Sequence, residues 1–191
     1  MRAGVLAAAA LLAGCAGGPQ PTDWQLNARG ALAQYQRSYF AGDTQLAERE
    51  FAQARAEIAR TGRADLLARA ELVRCAIRAA SLEFDDCPGF EALRADAGTE
   101  EIAYAEYLAG RSAWPATEQP LSRLVAAGVR LKTAMIAPEG IAGAIEIASS
   151  QGWRRPLLAW LAVQAKRAED GGDQEALSRI RRRIDLITTG K

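Results

Sequence analysis

Turn residues divide this chain into pieces of roughly helix length: Gly42-Asp43, Gly62, Pro88-Gly89, Gly110, Pro120, Pro138, Gly152 and Gly171-Gly172 each interrupt an alanine-rich stretch. A helix interior tolerates glycine and proline least and alanine best, so these breaks read as helix ends. Between them, apolar residues recur at three- and four-residue steps. Trp24, Leu32, Tyr35 and Tyr39 do so in one segment, and Leu46, Ala47, Phe51, Ala54 and Ile58 in the next. That spacing keeps one face of a helix apolar. β-branched runs are few, and no stretch reads as a strand. The pattern predicts an all-α fold of about eight or nine helices.

The expected helices run from Trp24 to Ala41, from an Asp43 cap to Gly62, and from Ala64 to Leu82. Further ones start at Pro88, at a Thr99 cap ending at Gly110, at Pro120 reaching Met135, at Pro138 ending at Gly152, at Pro156, and at an Asp173 cap reaching Ile187. Aspartate at such a position accepts a backbone N–H that the first turn leaves unpaired, and proline is pre-organised for a first helical residue. Short connections make consecutive helices antiparallel. The expectation is a single domain over residues 24–191, built as stacked antiparallel helical hairpins.

The N-terminal segment carries an address. "MRAGVLAAAALLAGCAGG" has one arginine, an apolar run and a small-residue exit, which describes a secretory signal; a membrane span needs about twenty apolar residues. Leu12-Ala13-Gly14-Cys15 resembles the lipobox of bacterial lipoproteins. That resemblance implies a signal peptide over residues 1–14 that is cleaved, lipidation of Cys15, and a tether over residues 15–23. Gly, Pro and small polar residues make "AGGPQPTD" a flexible spacer. By likeness to Gram-negative lipoproteins, Ala16 implies the outer membrane, with the body facing the periplasm. A plain signal peptide, or a short buried helix with an incidental Cys15, is the alternative.

Composition removes several function classes. The chain has 24 basic and 23 acidic residues and no histidine. Loss of residues 1–14 removes Arg2 and makes the two counts equal, so nucleic acid is not the expected partner. Without histidine, neither Ser-His-Asp nor Cys-His nucleophilic sets can be built, nor can His-ligated metal sites. Neither a cofactor nor a metal is expected. The expected partners are the membrane, through the lipid anchor, and an envelope protein.

One pair of segments resembles the tetratricopeptide repeat, in which a glycine closes the first helix and the second carries small, aromatic and small residues at fixed steps. Gly42, Ala47, Phe51 and Ala54 fall on those steps. Gly171, Ala176 and Ile180 echo them, with Arg183 where a small residue belongs. Small residues let helices approach and the aromatic fills the space between hairpins. The resemblance implies a shallow concave face for a peptide or partner helix. An irregular α-helical domain is the alternative.

Cys75 and Cys87 flank an acidic turn. In an exported protein such a pair is most simply a disulfide. A helix continuing from Cys75 to Glu83 would rise about 12 Å, whereas bridging needs Cα atoms within about 7 Å. The chain must therefore reverse in "FDDCPG", where Asp85, Asp86, Pro88 and Gly89 favour a turn. A reactive pair lacks the CxxC spacing, and two free buried thiols are the other alternative.

Four residues remain as candidates for interaction. Arg179 and Arg183 lie on the last helix, where a solvated face is the ordinary reading. Trp153 sits at a turn and reads as core or as a ligand contact, while Trp114 lies in the longest break, "RSAWPATEQP". The expected function is that of an outer-membrane-anchored scaffold or assembly protein without enzymatic activity. The alternatives are a cell-wall enzyme using one carboxylate, for which Glu101, Glu106 and Glu146 are ordinary helix positions, and a carrier of a small apolar ligand.

Overall fold

The computed structural model describes residues 20–115 and 117–190. The expected signal peptide, Cys15 with the residues that resemble a lipobox, and most of the expected tether lie outside the described residues. Nine α-helices occur among the described residues: α1 (Asp23–Ala41), α2 (Thr44–Ala59), α3 (Ala64–Ala80), α4 (Pro88–Glu91), α5 (Thr99–Leu108), α6 (Pro120–Lys132), α7 (Pro138–Ser150), α8 (Arg154–Asp170) and α9 (Gln174–Thr189). A 3₁₀ turn (Arg94–Asp96) links α4 to α5, and no strand occurs among the described residues. The fold is all-α.

Many of the expected ends are in place. Gly42 takes φ +100° and turns the chain between α1 and α2, a conformation that costs glycine nothing. Asp43 accepts the Leu46 N–H at 3.0 Å, and Asp173 accepts the Ala176 N–H at 2.9 Å. Pro88, Pro120 and Pro138 open α4, α6 and α7.

Four boundaries differ. Gly98 rather than Thr99 is the cap residue of α5, and Thr99 is its first helical residue. Helix α8 begins at Arg154, placing Pro156 third; the first-turn N–H groups lack intrahelical partners, so proline fits there. Helix α3 stops at Ala80 and α6 at Lys132, because Leu82 (φ 61°) and Ala134 (φ 56°) enter the left-handed region without being glycine. In each case the next residue's N–H reaches back to the helix, Glu83 to Arg78 and Met135 to Arg130, which satisfies carbonyls that the helix end exposes.

Consecutive helices pair as hairpins, α1 with α2, α7 with α8, and α8 with α9. Helix α3 is central, touching α2, α4, α5 and α6. Its buried residues run all round it: Ala68, Ala70, Glu71, Leu72, Cys75, Ala76, Ile77, Ala79 and Ala80. Such a helix is enclosed on most sides, with Arg69 exposed, and alanine keeps the neighbouring axes close. The backbones of α6 and α3 approach closely at Gly128, where an added Cβ would lie 2.5 Å from the Ala79 carbonyl oxygen. Helix α8 closes the core from the far side. Trp160, with no exposure, donates its indole N–H to the Ala80 carbonyl at 3.2 Å.

Of the positions that carry the repeat resemblance in the first hairpin, Ala47, Phe51 and Ala54 are core. Ala47 and Ala54 have no exposure, and Phe51 packs on Tyr35 with ring centroids 5.2 Å apart. Cys75 and Cys87 form a disulfide with Cα atoms 5.9 Å apart. The reversal that permits it passes through Asp85, whose carboxylate accepts the Cys87 N–H at 2.9 Å while facing Arg78.

Candidate functional site

A groove of about 770 Å³ opens between α5, the segment following it, α6 and α7. Its size lies in the usual range for ligand sites. Helix α5 contributes Tyr104 and Tyr107, one turn apart, and Trp114 folds back from the connecting segment onto both. The Tyr104 and Trp114 rings meet edge-on at 4.8 Å, Tyr107 and Trp114 stack at 6.1 Å, and Tyr104 and Tyr107 lie 5.7 Å apart. Rings this close touch one another, so they form a continuous wall and not a cage around a cation.

The opposite side is built from α6 and α7. Val129, Ile136, Gly143, Ala144 and Ile147 supply an apolar floor. At Gly143 an added Cβ would meet nothing within 4 Å, so the packing inside the fold does not require glycine there. Met135 stands at the edge with 70 % exposure. Tyr104 and Trp114 also line a second recess of about 390 Å³ against Leu72, Val73 and Val125. The Trp114 ring thus stands between two apolar hollows.

The polar groups are few. Arg111 is held by Glu106, with its Nε 2.5 Å from the carboxylate, and Arg123 lies 3.9 Å from Glu118. Arg130 has no ion-pair or side-chain hydrogen-bond partner among the described residues, and its charge lowers the Tyr107 phenol's pKa while burial, the larger effect, raises it. Burial pushes the Tyr104 phenol up to about 12, with Tyr107 adding to the effect. Both hydroxyls therefore stay protonated at neutral pH and are donors without a hydrogen-bond acceptor among the described residues. Glu139 sits in the first turn of α7, where the helix dipole favours its charge.

Of the sequence candidates, Trp114 alone belongs to this groove. Trp153 packs against Phe40 with centroids 4.8 Å apart and joins the core. Arg179 pairs with Glu175 one turn away, and Arg183 donates to the Ser149 hydroxyl at 3.1 Å. Both lie on α9, and neither lines the groove. Cys15 lies outside the described residues. The cysteine pair with Asp85 brings three possible metal-ligand atoms together, but the two sulfurs are bonded to each other and Asp85 faces Arg78.

The carboxylates weighed for acid catalysis are held ionised or stand in the open. Hydrogen bonds from Arg69 keep Glu101 below the usual carboxylate range, and those from Arg111 do the same for Glu106. A general acid at neutral pH needs the opposite shift. Glu146 is exposed on α7.

Tyr104, Tyr107, Arg130 and Gly143 escaped the sequence reading. The available signal was three aromatic residues beside the longest break, with two glycines, Gly140 and Gly143, inside a segment otherwise suited to a helix. No helix among the described residues is long and apolar enough to cross a membrane. No protein-family model, curated protein or solved structure matches the chain.

Proposed function

We propose that this protein is a bacterial lipoprotein, anchored through Cys15 in the outer membrane, whose helical body faces the periplasm and works by binding another envelope component. The lipobox supports the anchor, and the helical hairpins with tetratricopeptide-like packing at Ala47, Phe51 and Ala54 support a scaffold role. The observation that carries the binding role is the groove, an apolar floor and aromatic wall with an unpaired guanidinium. Its chemistry is that of recognition. The carboxylates at Glu101 and Glu106, tied to arginines, suit structure better than proton transfer.

Crosslinking in intact cells, followed by purification from solubilised envelopes, tests the scaffold reading against a Cys15→Ala control. A near-stoichiometric partner that disappears in the control is the expected result. Recovery of bulk envelope proteins alone would sink it.

The groove also favours a second reading, a carrier of a small apolar ligand. Its floor offers hydrocarbon surface on a scale suited to a ligand of that kind.

A further inference from the structure

Building on the carrier reading, we infer that the groove takes an amphipathic monocarboxylate: a hydrocarbon chain lying on the floor of α6 and α7, with its carboxylate held by Arg130 and the phenol hydroxyls of Tyr104 and Tyr107.

The distribution of polar groups selects this class. At Val129, Ala144 and Ile147 the backbone groups lie inside α6 and α7, and the side chains of these residues and of Ile136, in the segment between the helices, carry no donors or acceptors. An extended peptide brings an unpaired amide at every residue, unlike a partner helix, and a glycan a hydroxyl on nearly every carbon. Laid on this floor, many of those groups would lose water without gaining a partner, at about 1–3 kcal/mol each. A hydrocarbon chain makes no such demand. Gly143 leaves its side of the floor open to close approach by the chain.

The head-group assignment rests on three donors that have no acceptor. Arg130, Tyr104 and Tyr107 all line the groove, the two phenol rings lie 5.7 Å apart, and the Arg130 charge acts on the Tyr107 phenol. A guanidinium has donors only, and a neutral phenol can donate through its hydroxyl, a set that suits an anionic oxygen pair. The other cations of the groove are engaged, Arg111 by Glu106 and Arg123 near Glu118. Glu139, the remaining carboxylate, is favoured by the N-terminal dipole of α7 and needs no cation from a ligand. Trp114 and Met135 would cover the chain from the sides.

The test uses isolated cell envelopes containing the full chain and two photoreactive alkynyl probes, a ten-carbon fatty acid with a diazirine and the corresponding alcohol. Adducts are mapped by mass spectrometry in wild type, Arg130→Gln and Gly143→Leu, with excess decanoate as competitor. The expected result is competed labelling by the acid on peptides carrying Tyr104–Trp114 or Met135–Ile147. Arg130→Gln is expected to lower it about tenfold, the loss of one charge-assisted contact, and to leave labelling by the alcohol within about twofold. Gly143→Leu is expected to reduce both. If acid and alcohol label the groove equally and Arg130→Gln changes neither, the carrier reading stands and the carboxylate assignment is wrong. Absence of competed labelling from both probes overturns both, as does displacement of the acid by a peptidoglycan fragment in preference to decanoate.

Discussion

The Arg155 guanidinium donates to the Tyr39 carbonyl oxygen at 2.7 Å, joining residues 116 positions apart. The same side chain reaches Glu83 Oε1 at 3.0 Å and the Thr44 hydroxyl at 2.5 Å, and it lies over the Tyr39 ring at 4.2 Å. One planar fork thus ties the start of α8 to the end of α1, the start of α2 and the turn after α3. A lysine cannot point three donors in these fixed directions. Arg155→Lys is expected to lower unfolding free energy by about 1.5–3 kcal/mol, measured by urea denaturation, because hydrogen bonds to a charged group are at stake. A loss within experimental error would mean that the fork adds nothing to packing.

The Cys75–Cys87 bridge closes a loop with a sequence separation of 12. Loop entropy assigns such a crosslink about 3 kcal/mol. The paired substitution Cys75→Ser with Cys87→Ser is expected to lower the urea midpoint accordingly. Alkylation of the unreduced protein is expected to leave both cysteines unlabelled; labelling of both would remove the bridge from the account.

Two helical glycines are expected to respond to alanine with opposite signs. At Gly128 the added methyl would crowd the Ala79 carbonyl, so Gly128→Ala is expected to cost about 1–3 kcal/mol despite alanine's better helix propensity. At Gly143 nothing stands in the way, and Gly143→Ala is expected to stabilise by about 0.5–1 kcal/mol. Thermal midpoints of the two variants on either side of wild type would bear this out, and a shared sign would refute it.

Stability is expected to fall at alkaline pH before the arginines titrate. Burial raises the Tyr35 phenol to about 12, as it does Tyr104. In the unfolded chain a phenol ionises near 10. Above that point the unfolded state loses a proton that the folded state keeps, so stability is level below about pH 10 and declines as pH rises towards 12. Tyr35→Phe is expected to make the decline shallower, and it removes a buried hydroxyl that lies beside Arg74 without a well-formed hydrogen bond. Glu101 works in the other direction. Its lowered carboxyl contributes stability above the ordinary carboxylate range and loses it as pH falls through the folded-state value, a loss that Glu101→Gln is expected to abolish.

The helices were legible because their punctuation is chemical. Gly42, Asp43, Pro120, Pro138 and Asp173 act through their own backbone or side-chain bonds, so neighbours in sequence suffice to read them. Ala47, Phe51 and Ala54 were legible as core for the same reason, since one helix face defines them. The ends at Leu82 and Ala134 were hidden, because ordinary residues take left-handed conformations there, where backbone bonds from Glu83 to Arg78 and from Met135 to Arg130 close the helices. The groove was hidden more deeply. Tyr107, Trp114, Arg130 and Gly143 come from α5, α6, α7 and a connecting segment, and helical periodicity reports that a face is apolar without reporting which faces meet or leave a gap.

The central place of α3 has a consequence for how the molecule opens. Helices α2, α4, α5 and α6 all rest on it, so its amides exchange with solvent only when several of these neighbours detach together. Helix α9 rests chiefly on α8 at the edge of the fold and can detach alone. Hydrogen–deuterium exchange is expected to rank α9 among the fastest helices and α3 the slowest. A molecule so arranged frays from its C-terminal margin while the helix beneath its disulfide keeps the protection of the whole.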